Sequence, residues 1–308
     1  MQSTAKALRI GTRGSPLALV QARTVRARLA TALGASEETI ELTIIRTTGD
    51  VIQDRPLAEE GGKGLFTKEI EEALLRGDID LAVHSAKDMP TFLPEGLLLA
   101  ACLEREDPRD VFVSGKAASL AALPQGASLG TTSPRRQAIA LRARGDLRLK
   151  PLRGNVETRL RKLDDGEVDA TILALAGLKR LGLAGRATTI MEVTEFLPAV
   201  AQGAIGIETR ADDAATREAL ARIDHAETST AIACERAFLA LLDGSCKTPI
   251  GGHATIDKGV LQFRGLIVKP DGSEAHQTSV AGAAKDAVNI GADAGRALRQ
   301  YAGAGFFD

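Results

Sequence analysis

Two well-separated segments of the chain share one pattern, in which a short apolar run leads through a turn to a Ser-Pro pair. In the first segment the run 7–12 precedes Ser-Pro at 15–16, and in the second the run 129–132 precedes Ser-Pro at 133–134. Serine is a favoured helix N-cap, and proline in the first helical turn gives up no hydrogen bond. Both segments therefore predict a strand, a loop and a helix.

Strands and helices are predicted to alternate up to about residue 220. The predicted elements are strands at 7–12, 39–47, 79–84 and 166–173, helices at 17–33 and 69–76, and a helix that begins at 134. Gly34, Gly77 and Gly145 are the expected helix ends. This alternation indicates a largely parallel α/β sheet, and the repeated pattern indicates two similar α/β lobes with a cleft between them.

The pattern changes in the last part of the 308-residue chain. We predict a helix at 228–242, strands at 252–256 and 260–268, a turn at 271–273 and a last helix after Gly282. Helices and strands that do not alternate strictly are typical of an α+β domain. The sequence therefore predicts a small α+β domain after the two lobes.

Charge and composition narrow the possible partners. The 39 Lys and Arg residues nearly balance the 40 Asp and Glu residues, so the overall charge does not favour nucleic acid. Eight Phe, one Tyr and no Trp are too few for the stacking platforms of single-strand binders. No apolar run reaches the length of a membrane span, and the N-terminal residues lack the apolar region of a signal peptide. We expect a cytoplasmic protein that binds neither nucleic acid nor membrane.

A basic stretch between residues 130 and 161 is the strongest local signal. It holds nine basic side chains against two acidic ones. The basic residues are Arg135, Arg136, Arg142, Arg144, Arg148, Lys150, Arg153, Arg159 and Arg161. Arg135 and Arg136 follow a Ser-Pro pair, and Arg153 precedes another helix start, where free backbone N–H groups attract anions. Because guanidinium groups pair well with carboxylate or phosphate, the predicted ligand is an anion. A solvated helix face explains three of the nine, namely Arg142, Arg144 and Arg148.

Asp88 follows the predicted strand at 79–84. Ligands of open α/β sheets bind beyond the carboxyl ends of the strands, so we expect this carboxylate to point into a cleft. Lys87 adds the opposite charge, and Arg13 lies on the loop before the first helix. The alternative is that Asp88 only accepts hydrogen bonds from the backbone of its turn. His84 is interpreted as a strand histidine with a structural hydrogen bond.

The three cysteines form no C-x-x-C pair. Cys102 and Cys234 lie in apolar segments and are predicted to be packing residues. Cys246 follows a helix end in a polar loop beside Lys247, where a nearby cation favours the reactive thiolate. A loop cysteine without a function is the alternative. The sequence shows no His–Cys metal pattern, so we expect no metal.

Nine segments in chain order carry a more specific signal. They are GTRGSPLAL (11–19), GGKGLFTKEIE (61–71), DLAVHSAKDMP (80–90), EREDPRDVF (104–112), SPRRQ (133–137), LRGNVETRL (152–160), ILALAGLKRLGL (172–183), LPAVAQGAIGIE (197–208) and GSCKTPIGGHA (244–254). Together they resemble the porphobilinogen deaminase (hydroxymethylbilane synthase) family, from Arg9 to about Gly272.

The resemblance implies a domain division and a reaction. It implies a first lobe at 1–104 and 201–221, a second lobe at 105–200, both like those of periplasmic binding proteins, and an α+β domain at 222–308 that carries the cysteine loop. It also implies an ammonia-releasing transferase of haem, porphyrin and other tetrapyrrole biosynthesis. Such an enzyme condenses four porphobilinogen molecules stepwise into the linear tetrapyrrole hydroxymethylbilane. The primer would be a dipyrromethane cofactor held by a thioether to Cys246.

The resemblance also assigns roles to matching residues. Asp88 would be catalytic and would stabilise the positive charge that develops as ammonia leaves the substrate. The carboxylates of the primer would be held by Lys87, Ser133, Arg135 and Arg136. The incoming substrate and the growing chain would be held by Arg13, Ser15, Arg153, Arg159 and Arg180. A mobile loop over the cleft would include or adjoin Lys63 and Phe66.

Two positions depart from the family pattern. Glu59 stands in the loop where some members carry a basic residue, which puts a substrate contact at this position in doubt. Pro134 replaces the usual leucine and would stiffen the start of its helix. Neither departure touches Asp88 or Cys246.

Two other functions remain open from the residues alone. One is a non-catalytic two-lobe protein that binds or senses anions, which would have no use for a domain with a reactive cysteine. The other is nucleic-acid binding through the basic stretch, which the balanced charge and the scarce aromatic residues disfavour. For the enzyme we expect a monomer.

Overall fold

The computed structural model describes residues 8–51, 66–242, 244, 248–303 and 305–307. Lys63, Glu59 and Cys246 lie outside the described residues. The chain divides into two compact units. Unit 1 comprises Met1–Arg105 and Ala204–Ser229, and unit 2 comprises Glu106–Gly203 and Thr230–Asp308. The division into three domains stays a prediction.

The secondary structure follows the expected alternation in both units. The strands are β1 (Leu8–Thr12), β2 (Ile40–Ile44), β3 (Leu81–Ser85), β4 (Leu97–Cys102), β5 (Asp110–Val113), β6 (Ser128–Gly130), β7 (Arg148–Lys150), β8 (Ala170–Ala174), β9 (Thr189–Ile190), β10 (Ile205–Arg210), β11 (Ile250–Asp257), β12 (Val260–Val268) and β13 (Ala275–Ala283). The α-helices are α1 (Pro16–Leu33), α2 (Thr48–Val51), α3 (Lys68–Arg76), α4 (Pro134–Ala143), α5 (Val156–Asp164), α6 (Leu175–Arg180), α7 (Ala214–Ala221), α8 (Ala226–Leu241) and α9 (Ala287–Ala302).

The sheet of unit 1 has the strand order β2-β1-β3-β10-β4. Strand β1 pairs in parallel with β2 and β3, whereas β10 runs antiparallel to both β3 and β4. The prediction of a largely parallel sheet was therefore wrong for half of this sheet. The reason is that β10 comes from a distant part of the chain and enters between β3 and β4 in the opposite direction.

The first sheet of unit 2 repeats this arrangement with the order β7-β6-β8-β5-β9. Strand β6 is parallel to β7 and β8, and β5 is antiparallel to β8 and β9. In each sheet the second strand in the order leads to a Ser-Pro helix and has a parallel neighbour on each side, and the last two strands form an antiparallel pair. The two α/β lobes that the repeated sequence pattern predicts are present, with the α/β fold class confirmed.

Local signals set the helix ends. Ser15 Oγ accepts a hydrogen bond from the Ala18 N–H at 3.4 Å, and α1 ends at Gly34, whose φ of 63° lies in the left-handed region that favours glycine. Ser133 caps α4 in the same way. The prediction for Gly145 was wrong, because α4 ends at Ala143 and its C-cap residue is Arg144.

Unit 1 buries both faces of its sheet. One face packs against α1 and α7 through Val25, Leu29, Val83 and Leu220, and the other packs against α3 through Ile70, Leu74 and Ala82. Burial of apolar side chains on both faces is typical of sheets covered by helices. Strand β3 therefore lies in the interior of unit 1, and only its end reaches solvent.

The C-terminal part of unit 2 contains an antiparallel sheet of β11, β12 and β13, together with α9. The analysis of the sequence did not predict β13. Its burial alternates between half-buried and exposed positions, so its small and polar residues give no apolar signal. Leu266 and Val268 of β12 share one apolar cluster with Phe112 and Leu129 of the first sheet of unit 2.

Two further expectations concern cysteines and membranes. Cys102 and Cys234 are fully buried, as predicted, and burial raises the pKa of the Cys234 thiol to about 12. Within the described ranges, no helix combines the length and the apolar character that a membrane crossing needs.

Candidate active site

A pocket of unit 1 lies where β1 passes into α1, where β3 ends and where α3 begins. Because β1 and β3 are parallel neighbours, their carboxyl ends meet at the same edge of the sheet. The pocket is lined by Arg13, Ser15, Leu17, Ala18, Gln21, Phe66, Thr67, Val83, His84, Ser85 and Asp88. Four of the residues predicted from the sequence, namely Arg13, Ser15, Phe66 and Asp88, are thus together in unit 1.

Asp88 is an exposed carboxylate at the end of a short 3-10 turn, Ala86–Asp88, that follows β3 directly. Its neighbour Lys87 is half-buried. The turn is closed by the Met89 N–H, which donates to the Ala86 carbonyl. The carboxylate therefore stands at the mouth of the pocket on a short, hydrogen-bonded turn at the end of a buried strand.

The cation in this pocket is Arg13. Its guanidinium lies over the Phe66 ring, 4.2 Å from the ring centroid, which is a cation–π contact. Beside it, Gln21 Nε2 donates to Ser85 Oγ at 2.9 Å and fixes the wall between α1 and β3. Ser15 contributes its hydroxyl to the cap of α1. The pocket thus presents one carboxylate and one guanidinium, both accessible to a ligand.

Behind the pocket lie three buried titratable side chains that the sequence did not single out as a group. His84 Nε2 lies 3.2 Å from Oε2 of Glu208, which is fully buried on β10. Glu71 of α3 is also buried, and its pKa is raised because burial penalises its charged form and Glu208 repels it. His84 was interpreted as a structural histidine, and its position next to both the pocket and Glu208 is a new feature.

In unit 2, the two arginines of the SPRRQ segment meet on Asp110, a fully buried carboxylate at the start of β5. Arg135 Nη2 donates to Asp110 Oδ2 at 2.7 Å, and Arg136 Nη2 donates to Oδ1 at 2.7 Å. Gln202 Nε2 also donates to Asp110 Oδ1, at 3.1 Å. Both arginines lie in the first turn of α4, as the Ser-Pro pair predicted, and both side chains are buried.

The charge of this arginine pair is not balanced by Asp110 alone. Two guanidinium groups and one carboxylate leave a net charge of +1 in a buried place. Arg135 Nε is buried without a hydrogen-bond acceptor in the described part of the chain. Burial lowers the pKa of Arg135, while Asp110 opposes this effect. An unused donor beside an uncompensated positive charge is suited to an anionic group such as a carboxylate.

The remaining predicted arginines lie elsewhere in unit 2. Arg159 Nε donates to the Gly154 carbonyl at 2.9 Å, at the start of α5. Arg153, which precedes Gly154 in the chain, is half-buried. Arg180 Nη2 donates to the Gly203 carbonyl at 2.6 Å, and burial lowers the pKa of Arg180. Arg153 lies in the loop before α5, Arg159 lies in α5 and Arg180 is the last residue of α6, and the ligand roles of all three stay predictions.

Two of the three arginines predicted to form a solvated face, Arg142 and Arg148, are exposed. Arg144 differs, because its guanidinium donates to Asp146 and to backbone carbonyls of the 120–124 segment. Arg144 is therefore a structural anchor, and the prediction of a solvated side chain was wrong for it. The basic stretch between residues 130 and 161 therefore contains exposed arginines as well as an arginine whose guanidinium is hydrogen-bonded within the fold.

The sequence analysis missed Asp110, Gln202 and Glu208 as site residues. A signal for two of them was present, since Asp110 opens the apolar run Val-Phe-Val and Glu208 follows the apolar run 204–207. A charged side chain beside or within a buried strand needs a partner. In the part of the chain that the structure covers, no group of three potential metal ligands is found.

Comparisons with known proteins identify the family of the chain. Residues 8–218 match the sequence profile described as porphobilinogen deaminase, dipyromethane cofactor binding domain, and residues 229–300 match that of the porphobilinogen deaminase C-terminal domain. Porphobilinogen deaminases of Nitrobacter winogradskyi and Nitrobacter hamburgensis are each 60% identical over 97% of this chain and 94% of the relative. A putative methionine-binding lipoprotein of Bacillus subtilis has a TM-score of 0.44 at 14% identity, over 71% of this chain and 90% of its own. The two profiles and the two relatives cover almost the whole sequence, and the chain belongs to the porphobilinogen deaminase family.

Proposed function

We propose that the chain is a hydroxymethylbilane synthase and that Asp88 is its catalytic carboxylate. The enzyme condenses four porphobilinogen molecules into hydroxymethylbilane and releases ammonia at each addition. The observation that carries the residue assignment is the pocket of unit 1, in which Asp88 and Arg13 lie at the carboxyl ends of two parallel strands.

Asp88 acts on the charge that appears during the reaction. When ammonia leaves the aminomethyl group, the pyrrole unit that remains is a cationic azafulvene. A carboxylate that accepts a hydrogen bond from the pyrrole N–H favours this cation over the neutral substrate, so its stabilisation is larger in the transition state than in the ground state. The 3-10 turn after β3 holds the carboxylate at the pocket mouth before substrate binds, so little reorganisation is needed.

The acetate and propionate arms of the substrate need cations, and the chain provides them in both units. Arg13 in unit 1 and Arg153, Arg159 and Arg180 in unit 2 are the proposed partners of these arms. Arginine suits this task because its planar fork binds a carboxylate through two hydrogen bonds. Ser15 and Phe66 complete the proposed wall of the pocket in unit 1.

The residues of unit 2 fit a dipyrromethane cofactor. The buried net charge around Arg135 and Arg136 and the unused Arg135 Nε are what a primer with carboxylate arms requires. Ser133, Lys87 and these two arginines would hold the arms, and Cys246, outside the described residues, would anchor the cofactor by a thioether. When bound, the cofactor supplies the pyrrole carbon to which the first substrate unit is joined. The described side chains bind and orient its arms.

We also infer that the enzyme works as a monomer in the cytoplasm, without nucleic acid or membrane as a partner. The balanced charge supports the absence of a polyanionic partner. Size-exclusion chromatography with light scattering tests the monomer, and a dimer at micromolar concentration would contradict it.

Replacement of Asp88 tests the catalytic assignment. We expect Asp88→Asn to reduce kcat for porphobilinogen at least a hundredfold, because the amide cannot balance the developing positive charge. The substitution is isosteric and exposed, so the thermal unfolding midpoint should stay within about 2 °C. A variant with near-normal kcat would show that Asp88 is not catalytic.

The intact mass of the purified protein tests the cofactor. We expect a mass above that of the chain by two pyrrole units, and we expect Cys246→Ser to abolish this excess while Cys102→Ser retains it. The same excess in Cys246→Ser would place the anchor on another residue. A wild-type protein that binds porphobilinogen without turnover would favour the anion sensor instead.

A further inference from the structure

His84 joins the substrate pocket to a buried carboxylate. The imidazole lines the pocket that contains Asp88, and its Nε2 lies 3.2 Å from Glu208 Oε2. The two residues lie on the same face of the sheet, because His84 pairs with Gly206 and Glu208 is two positions further along β10. Nε2 lies beside Glu208 without the geometry of a hydrogen bond, so Nδ1 is the second ring nitrogen at which a proton can be exchanged.

Glu208 needs a positive partner. Its side chain is fully buried, and neither carboxylate oxygen accepts a hydrogen bond from the described part of the chain. A buried carboxylate without hydrogen bonds is costly unless a cationic group lies beside it, and the imidazole of His84 lies within ion-pair distance of Glu208.

Other charged groups lie near this pair. Glu71 of α3 interacts electrostatically with both members, and its pKa is raised by burial and by the nearby Glu208. Asp88 and Arg13 face the imidazole from the pocket and bring one charge of each sign. Thr67 contributes a hydroxyl next to Glu71.

We propose that His84 is the proton carrier of the condensation, with Glu208 as the residue that positions and charges it. This inference rests on the proposed function. It adds a second acid–base group to the pocket, next to the carboxylate of Asp88.

The proton cycle balances within one addition. His84 Nδ1 gives its proton to the neutral aminomethyl nitrogen, the C–N bond breaks with its electron pair staying on nitrogen, and ammonia leaves. A carbon–carbon bond then forms between the azafulvene and the acceptor pyrrole. The C–H bond at that ring carbon breaks, its electron pair restores the aromatic ring, and the proton returns to Nδ1. The products are the elongated chain and one molecule of ammonia, with no oxidant, reductant or metal.

Glu208 makes both transfers possible. When His84 gives up its proton, Glu208 is left as a buried negative charge, so the imidazole strongly favours taking the ring proton back. This arrangement has the same logic as a carboxylate that orients a catalytic histidine and stabilises its imidazolium. Removal of the Glu208 charge should therefore affect the proton transfers while the pocket keeps its shape.

The first test is chemical rescue. We expect His84→Ala to lower kcat for porphobilinogen about a hundredfold or more while KM changes little, because general acid–base groups contribute about 10²–10⁴ in rate. Added imidazole should restore part of kcat in His84→Ala. His276→Ala, on strand β13 of unit 2, is the matched control and should keep wild-type kcat with no response to imidazole.

The second test uses porphobilinogen deuterated at its free ring carbon. Glu208→Gln keeps the shape of the side chain, and proton removal should become rate-limiting in this variant. The ratio of kcat with undeuterated substrate to kcat with deuterated substrate should therefore be larger than in wild type. Glu208→Asp should recover part of the rate, since it keeps the charge. A structural role for Glu208 would lower stability without raising the isotope ratio.

A third measurement reports the charge of the His84 imidazole in the folded protein without turnover. The chain has four histidines, so a spectrum of protein labelled at the imidazole carbon contains four signals, and His84→Asn identifies one of them. We expect the His84 signal of wild type at neutral pH to be that of a charged imidazole, and that of Glu208→Gln to be neutral.

The outcomes separate the inference from the function on which it rests. A wild-type protein without turnover would contradict the proposed function itself. An active wild type whose His84→Ala variant keeps its kcat, or shows no rescue by imidazole, would overturn the proton carrier. A neutral His84 in the resting wild type would overturn it as well, whatever the kinetics of the variants.

Discussion

Helices α1 and α4 begin with the same Ser-Pro pair, but the charged residues beside them have opposite surroundings. At α1, Arg13 stays half-buried against Phe66 in a pocket that also contains the exposed Asp88. At α4, Arg135 and Arg136 are buried and donate to Asp110, which no solvent reaches. The local structure is the same, whereas the tertiary packing differs.

This difference separates two uses of a carboxylate. Asp88 is exposed and available to a substrate, so its replacement should change the reaction and leave the fold intact. Asp110 is buried between two guanidinium groups, so its replacement should change the fold. The same residue type at the ends of corresponding sheets is thus exposed in one unit and buried in the other.

The largest expected effect tests this contrast directly. Asp110→Asn removes the negative charge between Arg135 and Arg136, and we expect the free energy of unfolding to fall by about 3–5 kcal/mol. Asp88→Asn, the matched control in unit 1, should change it by less than about 0.5 kcal/mol. Urea unfolding followed by circular dichroism measures both. Equal losses in the two variants would break the distinction between the two carboxylates.

A smaller effect is expected at Asp169, where the structure shows an acid-sensitive contact of unit 2. Asp169 accepts hydrogen bonds from the Ser128 N–H and Oγ, both at 2.7 Å, and pairs with Lys116. The Lys116 ammonium and the Ser128 donors hold the pKa of Asp169 well below its usual range. Asp169→Asn should therefore lower the free energy of unfolding at pH 7 by about 1.5 kcal/mol.

The sign of the pH dependence follows from the lowered pKa of Asp169. Its stabilising contribution is complete above the usual aspartate pKa, near 4, and is lost as the pH falls further toward the folded-state pKa. The difference in unfolding free energy between wild type and Asp169→Asn should therefore be constant from pH 5 to 7 and shrink below about pH 4. A difference that grows toward acid would contradict this assignment.

The smallest effects are expected at the N-caps of α1 and α4, where the local structure of the two helices is the same. Ser15 Oγ accepts from Ala18 N and Ser133 Oγ accepts from Arg136 N, both at 3.4 Å. Ser15→Ala and Ser133→Ala should each cost about 1 kcal/mol of unfolding free energy, because the cap is a local interaction. A much larger loss in Ser133→Ala would mean that this serine also orders Arg135 and Arg136 over Asp110.

Several features of the fold were predictable because they depend on neighbouring residues. The Ser-Pro starts of α1 and α4 and the glycine end of α1 need only a side-chain acceptor, a fixed proline φ and a glycine at positive φ. The repeated pattern also predicted two similar lobes. The position of β10 between β3 and β4 could not be predicted, because strand order depends on contacts between distant segments.

In the candidate site, too, some residues could be predicted from the sequence and others could not. Asp88 and Arg13 could be chosen from the sequence because each lies within a few residues of the end of a predicted strand and therefore near the edge of the sheet. The partner of Arg135 could not, since Asp110 is 25 residues away in sequence and meets it only because β5 lies next to β8 in the sheet. His84 and Glu208 likewise meet only through the pairing of β3 with β10.

By itself, the sequence determined where helices start, which residues are at strand ends and to which family the chain belongs, because these properties depend on short segments. Only the tertiary structure decided which charges are buried and which face the pocket. Burial and charge pairing depend on residues that lie far apart in the chain and come together in the folded sheet. For this reason Arg135 became a partner of Asp110, and His84 a neighbour of Glu208.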